Sequence, residues 1–338
     1  MTGILVTGGT GFILSNLVSS LLSACPDAEI AVLDLTVKDR LAREFFGAVG
    51  SRLQLFEGDV RDPEILRSIS KGISVSHVVH GATVTHDAET ERTDPTRYIN
   101  VNLGGTVALL EWLRTLTGLR RFVYVSTGGV YGGPQPGSPM DIQSEIGPFD
   151  PPELYAVTKY AAELVVRRYA NLFDLPACRV RLSDIFGPME RPTRARRLMS
   201  LPYRMMRALI ERRPLRITGP TLKAGGDYLS AEDVASAILA ILKCESLPYD
   251  LFNIAAGVWR TVPEIFTAFA AVAPSFQHET VAPDEAEVDL NPANRLARYN
   301  AYAISRIREL GWRPRRLEEQ FGTYLEWVMQ EPEARCPC

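Results

Sequence analysis

The sequence predicts a doubly wound parallel α/β sheet with a smaller, discontinuous C-terminal region, and three observations carry that expectation. Short apolar runs of strand character, Ile4 to Thr7, Ile30 to Leu35, Val78 to His80 and Phe122 to Ser126, alternate with longer helical patterns such as Leu14 to Leu22. The strand runs are apolar throughout rather than alternating, as strands covered on both faces must be. After residue 180 the rhythm breaks into Pro- and Gly-rich stretches, Gly187 to Pro192, Pro214 to Gly226 and Pro283 to Pro292, of the kind that cap or line a pocket on such a scaffold.

With 338 residues, 46% hydrophobic and 23% charged, the chain can bury a sizeable core, and its formal net charge of -3 provides no basic field for nucleic acid or an anionic membrane. The local runs Arg191 to Arg197 and Arg212 to Arg216 read as a solvated face or an anionic-substrate patch. Cys25, Cys178, Cys244, Cys336 and Cys338 fit neither a zinc pattern nor a disulfide framework, so no metal is expected. No charged leader with an apolar core precedes the first strand, and no run of eighteen apolar residues occurs, so the expected location is cytoplasmic.

The segment Thr7-Gly8-Gly9-Thr10-Gly11-Phe12-Ile13-Leu14 joins the first strand to the first helix, the context of a dinucleotide-binding loop. Gly8 allows a tight turn, and Gly11 lets backbone N–H groups at the helix start approach a pyrophosphate; Thr10, Phe12 and Ile13 complete the candidate loop. Leu14 stands where a third glycine would let helix and strand pack closely, so the helix is expected to be pushed out or tilted. Asp34, followed by Leu35, ends the second strand, where a carboxylate accepts from both ribose hydroxyls and repels a 2′-phosphate. That favours NAD over NADP, with Lys38 and Arg40 as the counter-signal. Asp59 and Val60, after the third strand, are candidates for the adenine.

Tyr155 and Lys159 lie four apart in a helical pattern and so share a face. A phenol is too weak an acid to serve as a base near neutrality unless an ammonium and an oxidised nicotinamide lower its pKa, which makes the pair an acid/base device. Thr127, at the end of the run Phe122 to Ser126, is placed to polarise a substrate oxygen. His77 and His80 are read as supports of their strand, and His86 as a surface residue or a substrate contact. The amphipathic helices 102–116 and 152–173 carry surplus apolar positions for a homodimer face or for the core.

Together, Thr7 to Gly11, Asp34, Asp59-Val60, His80-Gly81-Ala82, Asn102 with Gly105-Thr106, Ser126 to Gly132 and Tyr155 to Lys159 resemble the extended short-chain dehydrogenase/reductase superfamily. The resemblance continues through Arg181 to Pro188, Asp227 to Ala235, Phe252 to Gly257 and Leu310 to Pro314. It implies a seven-stranded Rossmann-type sheet, a Thr127/Tyr155/Lys159 triad, dimerisation through the two long helices, and a nicotinamide site with Lys159 on the ribose and Gly81, Ala82, Thr83 and Asn102 lining the cofactor. It divides the chain into a dinucleotide-binding part, residues 1–180 with 227–257 returning to it, a substrate-binding part, 181–226 and 258–330, and a loose tail, 331–338.

Within that family, Ser126 to Gly132 is most similar to sugar-nucleotide 4-epimerases, whereas 4,6-dehydratases carry Asp-Glu where this chain has Gly128-Gly129. Members acting on nucleotide-diphosphate sugars usually have Arg at the position of Gly226 and Asn at that of Asp184; Arg191, Arg194 or Arg216 could restore the charge. Thr85, His86, Gly128, Asp184 and Arg191 are the expected substrate contacts. The expected activity is epimerisation of a sugar or sugar nucleotide by transient oxidation. The alternatives are an NAD-dependent dehydrogenase of a small sugar acid, polyol or hydroxy acid, and a dinucleotide-binding protein without chemistry.

Overall fold

A computed structural model describes residues 1–47, 50–133, 142–193, 195–290 and 301–337, so Arg194 and Cys338 lie outside the described residues. The first half alternates β1 (Gly3–Thr7), α1 (Phe12–Ala24), β2 (Glu29–Asp34), α2 (Arg40–Phe46), β3 (Leu53–Glu57), α3 (Pro63–Gly72), β4 (His77–His80), α4 (Gly105–Leu113), β5 (Arg121–Thr127), α5 (Leu154–Phe173) and β6 (Ala177–Leu182). The longer helices α6 (Leu201–Ile210), α7 (Ala231–Lys243), α8 (Val262–Ala270) and α9 (Leu317–Gln330) follow, and β7 (Leu251–Ile254) closes the sheet between α7 and α8.

The seven strands run in the order β3-β2-β1-β4-β5-β6-β7, and every pairing is parallel. All five residues of β1 and all seven of β5 are buried, which is why those runs are apolar without alternation. The period of two still sorts them. Ile4 and Val6 face a cluster built with α1 and α7, and Leu5 faces one built with α3, α4 and α5. A third cluster, containing Phe186, Met205, Phe269 and Phe321, forms the core of the C-terminal region.

Two expectations differ from the structure. Helix 102–116 is shorter as an α-helix: Ile99–Gly104 forms a π-helix leading into α4, a distortion that recurs at functional sites. The residues after 330 do not trail off, because Pro332–Arg335 forms a helical turn and Cys336 is fully buried in the third cluster, where Arg207 donates to its carbonyl. A buried thiol behaves as a small apolar side chain and packs more favourably there than in water.

Candidate active site

The site lies across the C-terminal edge of the sheet, where the strand order reverses at β1 and β4. At Gly8, φ is +74° and an added Cβ would come within 2.9 Å of the Ala82 backbone nitrogen, so turn and strand end are in contact. Helix α1 begins at an N-cap glycine, Gly11, with no side-chain cap and no acidic residue in its first turn, leaving its first N–H groups directed at any anion held there. Asp34 is fixed by three donors: the Thr10 hydroxyl at 2.7 Å, the Thr10 amide at 3.1 Å and the Leu35 amide at 2.8 Å. Its remaining lone pairs suit a ribose diol. Lys38 pairs with Glu57 and Arg40 with Glu44, so both cations that could welcome a 2′-phosphate already face carboxylates.

Leu14 does not stand unaccommodated. A Cβ on Gly81 would lie 2.4 Å from Leu14 Cδ1, so the bulk added to the helix is matched by a side chain missing from the end of β4. Asp59 forms a bidentate pair with Arg61, and Val60 is buried beneath Gly105. Asn102, in the π-helix, accepts from the Thr83 hydroxyl and the Val84 amide and donates to Val84 carbonyl and to Thr158 on α5, joining the cofactor loop to the helix of Tyr155.

Tyr155 stands in the first turn of α5, and Lys159 and Glu163 follow on the same face at steps of four. Lys159 Nζ lies over the Tyr124 ring, 4.3 Å from its centroid. Burial pushes the Lys159 pKa down to about 7, against the upward pull of Glu163. Burial and the Lys159 charge hold His80 down at about 3, so that ring is neutral, bonded at Nδ1 to Thr7 and at Nε2 to Thr106. Thr127 ends β5 and accepts from the Gly129 amide at 3.1 Å, which starts the short turn Gly128–Tyr131.

Beneath these residues lies a network that local motifs do not reveal. The fully buried Glu163 accepts from Ser126 at 2.5 Å and from Arg181 through both Nε and an Nη at 2.6 Å. Arg181 also donates to Tyr131, whose hydroxyl donates to Asn253. Burial works against the Arg181 charge, but the hydrogen bonds and charge of Glu163 outweigh it and raise its pKa. The ion pair therefore clamps the strand end beside Thr127 to the helix of Tyr155 and Lys159. Glu163 could have been found as the next residue at the Tyr155/Lys159 spacing, and Arg181 as a charge inside an apolar strand.

The expected substrate contacts scatter. Arg191 pairs with Asp39, the N-cap of α2, at 2.8 Å. Arg216 faces Glu279 and Glu285. The segment around these arginines instead straps the cofactor loop: Asn16 donates to Pro188 carbonyl, the Arg196 guanidinium covers the Phe12 ring, and the Thr85 hydroxyl donates to Ala195 carbonyl. His86 Nδ1 lies 3.7 Å from Glu91. Asp184 does reach the neighbourhood of Gly226: a Cβ there would lie 2.9 Å from Asp184 Oδ2 and 2.7 Å from the Tyr228 ring. Buried Asp227 accepts from the amides of Ala256, Gly257 and Tyr302, and its pKa is pushed up to about 7, first by burial, with Asp184 adding to it. Among the described residues no cluster of metal ligands occurs, and no helix is long and apolar enough to cross a membrane.

Residues 4–255 match the model of the NAD dependent epimerase/dehydratase family. The chain belongs to that family. It is 29% identical over 332 residues to dTDP-D-glucose 4,6-dehydratase of Bos taurus, covering 97% of this chain and 88% of the bovine protein. It is 26% identical to a trifunctional enzyme of Arabidopsis thaliana with UDP-glucose 4,6-dehydratase, 3,5-epimerase and 4-keto-L-rhamnose-reductase activities, of which it spans about half, 48%. The fold is shared with UDP-glucose 4-epimerase of Thermotoga maritima, with a TM-score of 0.82 at 23% identity over 98% of this chain and all of that one. As a member of that family the chain is an NAD-dependent enzyme of the epimerase/dehydratase type, and the glycine turn, uncapped helix and Asp34 fit that cofactor.

Proposed function

We propose that this protein is a sugar-nucleotide 4-epimerase, in which Tyr155 moves the proton, Lys159 steadies its charge and Thr127 holds the reacting oxygen. The observation that carries the reading is the turn after Thr127. Elimination of water needs an acid and a base beside the sugar, and Gly128 and Gly129 offer neither, while the tyrosine–lysine device remains complete. NAD, when bound, supplies the acceptor that takes the carbinol hydrogen and returns it. Gly8, Thr10, Gly11, Phe12 and Ile13 would hold its pyrophosphate, Asp34 its adenosine ribose, Asp59 and Val60 its adenine, and Gly81, Ala82, Thr83, Asn102 and Lys159 the nicotinamide half.

Tyr155 as phenolate accepts the substrate hydroxyl proton and later gives it back. A protonated Lys159 favours the phenolate, and beside His80 the Glu163 charge and the face of the Tyr124 ring offset part of the cost of burying that ammonium. Purified protein should interconvert epimers of a sugar nucleotide without net NADH; stoichiometric NADH would sink the epimerase reading. A second reading, a net dehydrogenase of a polyol or hydroxy acid, draws on the acidic surroundings of Gly226, which lack the usual diphosphate partner.

We further propose a homodimer through α5 and the segment before α4. Ile99, Val157, Leu164, Leu172 and Phe173 are exposed on those elements, and 157, 164 and 172 recur at helical spacing. A monomeric mass by light scattering at micromolar concentration would refute it.

A further inference from the structure

The space beside Gly128 is not empty. A Cβ on Gly128 would lie 2.1 Å from the hydroxyl oxygen of Tyr302 and 2.6 Å from its Cε1 and Cζ. No side chain at position 128 can coexist with that phenol, and position 128 directly follows Thr127. Tyr302 comes from far along the chain, and its placement is fixed three times over. Its amide donates to Asp227 Oδ2 at 3.1 Å. The flanking backbone pairs with Gln143, through the Gln143 amide on Ala301 carbonyl and the Ala303 amide on Gln143 carbonyl. Its ring meets Tyr131 edge-on at 5.7 Å, and Tyr131 is itself held by Arg181 and Asn253. At 3% exposure Tyr302 is as enclosed as Thr127 at 7% and Lys159 at 2%.

From this geometry we infer that Tyr302 is a substrate-contacting residue, its phenol standing where the side chain after Thr127 would stand and hydrogen-bonding the sugar there. The inference rests on the sugar-substrate reading above and deepens it. A phenol hydroxyl both donates and accepts, so one group can serve the hydroxyls of both epimers. It also fills the position at which an eliminating enzyme needs a carboxyl group, so dehydration is blocked by occupancy as well as by the missing acid. Gly128 is then required because of Tyr302: any larger residue displaces the phenol.

The test compares the NAD-loaded wild type with Tyr302→Phe, Gly128→Ala and the double variant, using UDP-glucose, UDP-glucuronate and dTDP-glucose as probes and following both epimers by NMR. Tyr302→Phe keeps the ring, so NAD content and thermal midpoint should be unchanged while kcat/KM falls about tenfold, chiefly through KM. Gly128→Ala should produce a loss of the same kind, and the double variant should be no worse than the poorer single one, because both remove the same contact. A wild type that interconverts a probe, with Tyr302→Phe within twofold of it in both kcat and KM, overturns the Tyr302 assignment and leaves the epimerase reading standing. A wild type that converts none of the three probes overturns both.

Discussion

The proposed cofactor side and the proposed substrate side of the candidate site are built on different plans. On the cofactor side the main polar groups are local or come from neighbouring strand ends: Thr10, in the turn after β1, reaches Asp34 at the end of β2, and Tyr155, Lys159 and Glu163 share one helix. On the substrate side the meetings are long-range. Asp184 comes to Gly226, Asp227 to Tyr302, and Tyr302 to Gly128. The first plan conserves a chemistry through local geometry, while the second lets distant segments alter what is recognised without disturbing the proton-transfer pair.

The largest effect that would sharpen this contrast is loss of the phenol on α5. Tyr155→Phe should lower kcat by about 10²–10⁴-fold with NAD still bound, measured by single-turnover formation and decay of NADH. Retained activity would remove the cofactor-side half of the comparison.

The next is structural. Glu163→Gln leaves the Arg181 guanidinium buried without a full counter-charge, which should cost about 3–5 kcal/mol in denaturant unfolding. Ser126→Ala removes only one hydrogen bond to the same carboxylate and should cost about 1 kcal/mol. Equal small losses would mean that the network does not join strand end to helix.

This division also explains what the sequence made legible. The sheet, the glycine loop, Asp34 and Tyr155/Lys159 are written in period and spacing, which act over a few residues. Leu14 read alone looked like a defect, because its complement, Gly81, lies on another strand. The ion pair of Arg191 with Asp39 joins residues 152 apart in sequence, so no local pattern announces it. Tyr302 carries no local signal at all, since only the folded chain brings it to Gly128. The π-helix at Ile99–Gly104 was hidden for a similar reason, as it resembles a regular helix in pattern and differs in how it presents Asn102.

The two sides also respond to pH with opposite slopes. Lys159 falls from 10.5 to about 7 on folding, so the unfolded chain holds the extra proton between those values and stability rises with pH across about 7 to 10.5. Asp227 rises from 3.8 to about 7, so the native state holds the extra proton and stability falls as pH climbs from about 4 to 7. Each limb can reach at most about 1.4 kcal/mol per pH unit. In NAD-free protein, Lys159→Met should flatten the alkaline limb of the unfolding free energy, and Asp227→Asn the acid limb. A variant that flattens the wrong limb would reverse the assignment.

The smallest effect concerns a long-range pair on the cofactor side. Leu14 is buried at the start of α1, and the strand end beneath it accepts the added bulk only because residue 81 has no Cβ. Gly81→Leu overpacks the contact, whereas Leu14→Gly leaves a cavity and places glycine in a helix. If the two positions share one space, exchanging them should recover part of both losses, giving a coupling energy of about 0.5–3 kcal/mol in a double-mutant cycle. The NAD affinity of the exchanged protein should return toward that of the wild type, because the N–H groups of α1 regain their place. Strict additivity would show instead that Leu14 is tolerated by a shift of the whole helix, and cofactor binding would then be weakened by Leu14 itself.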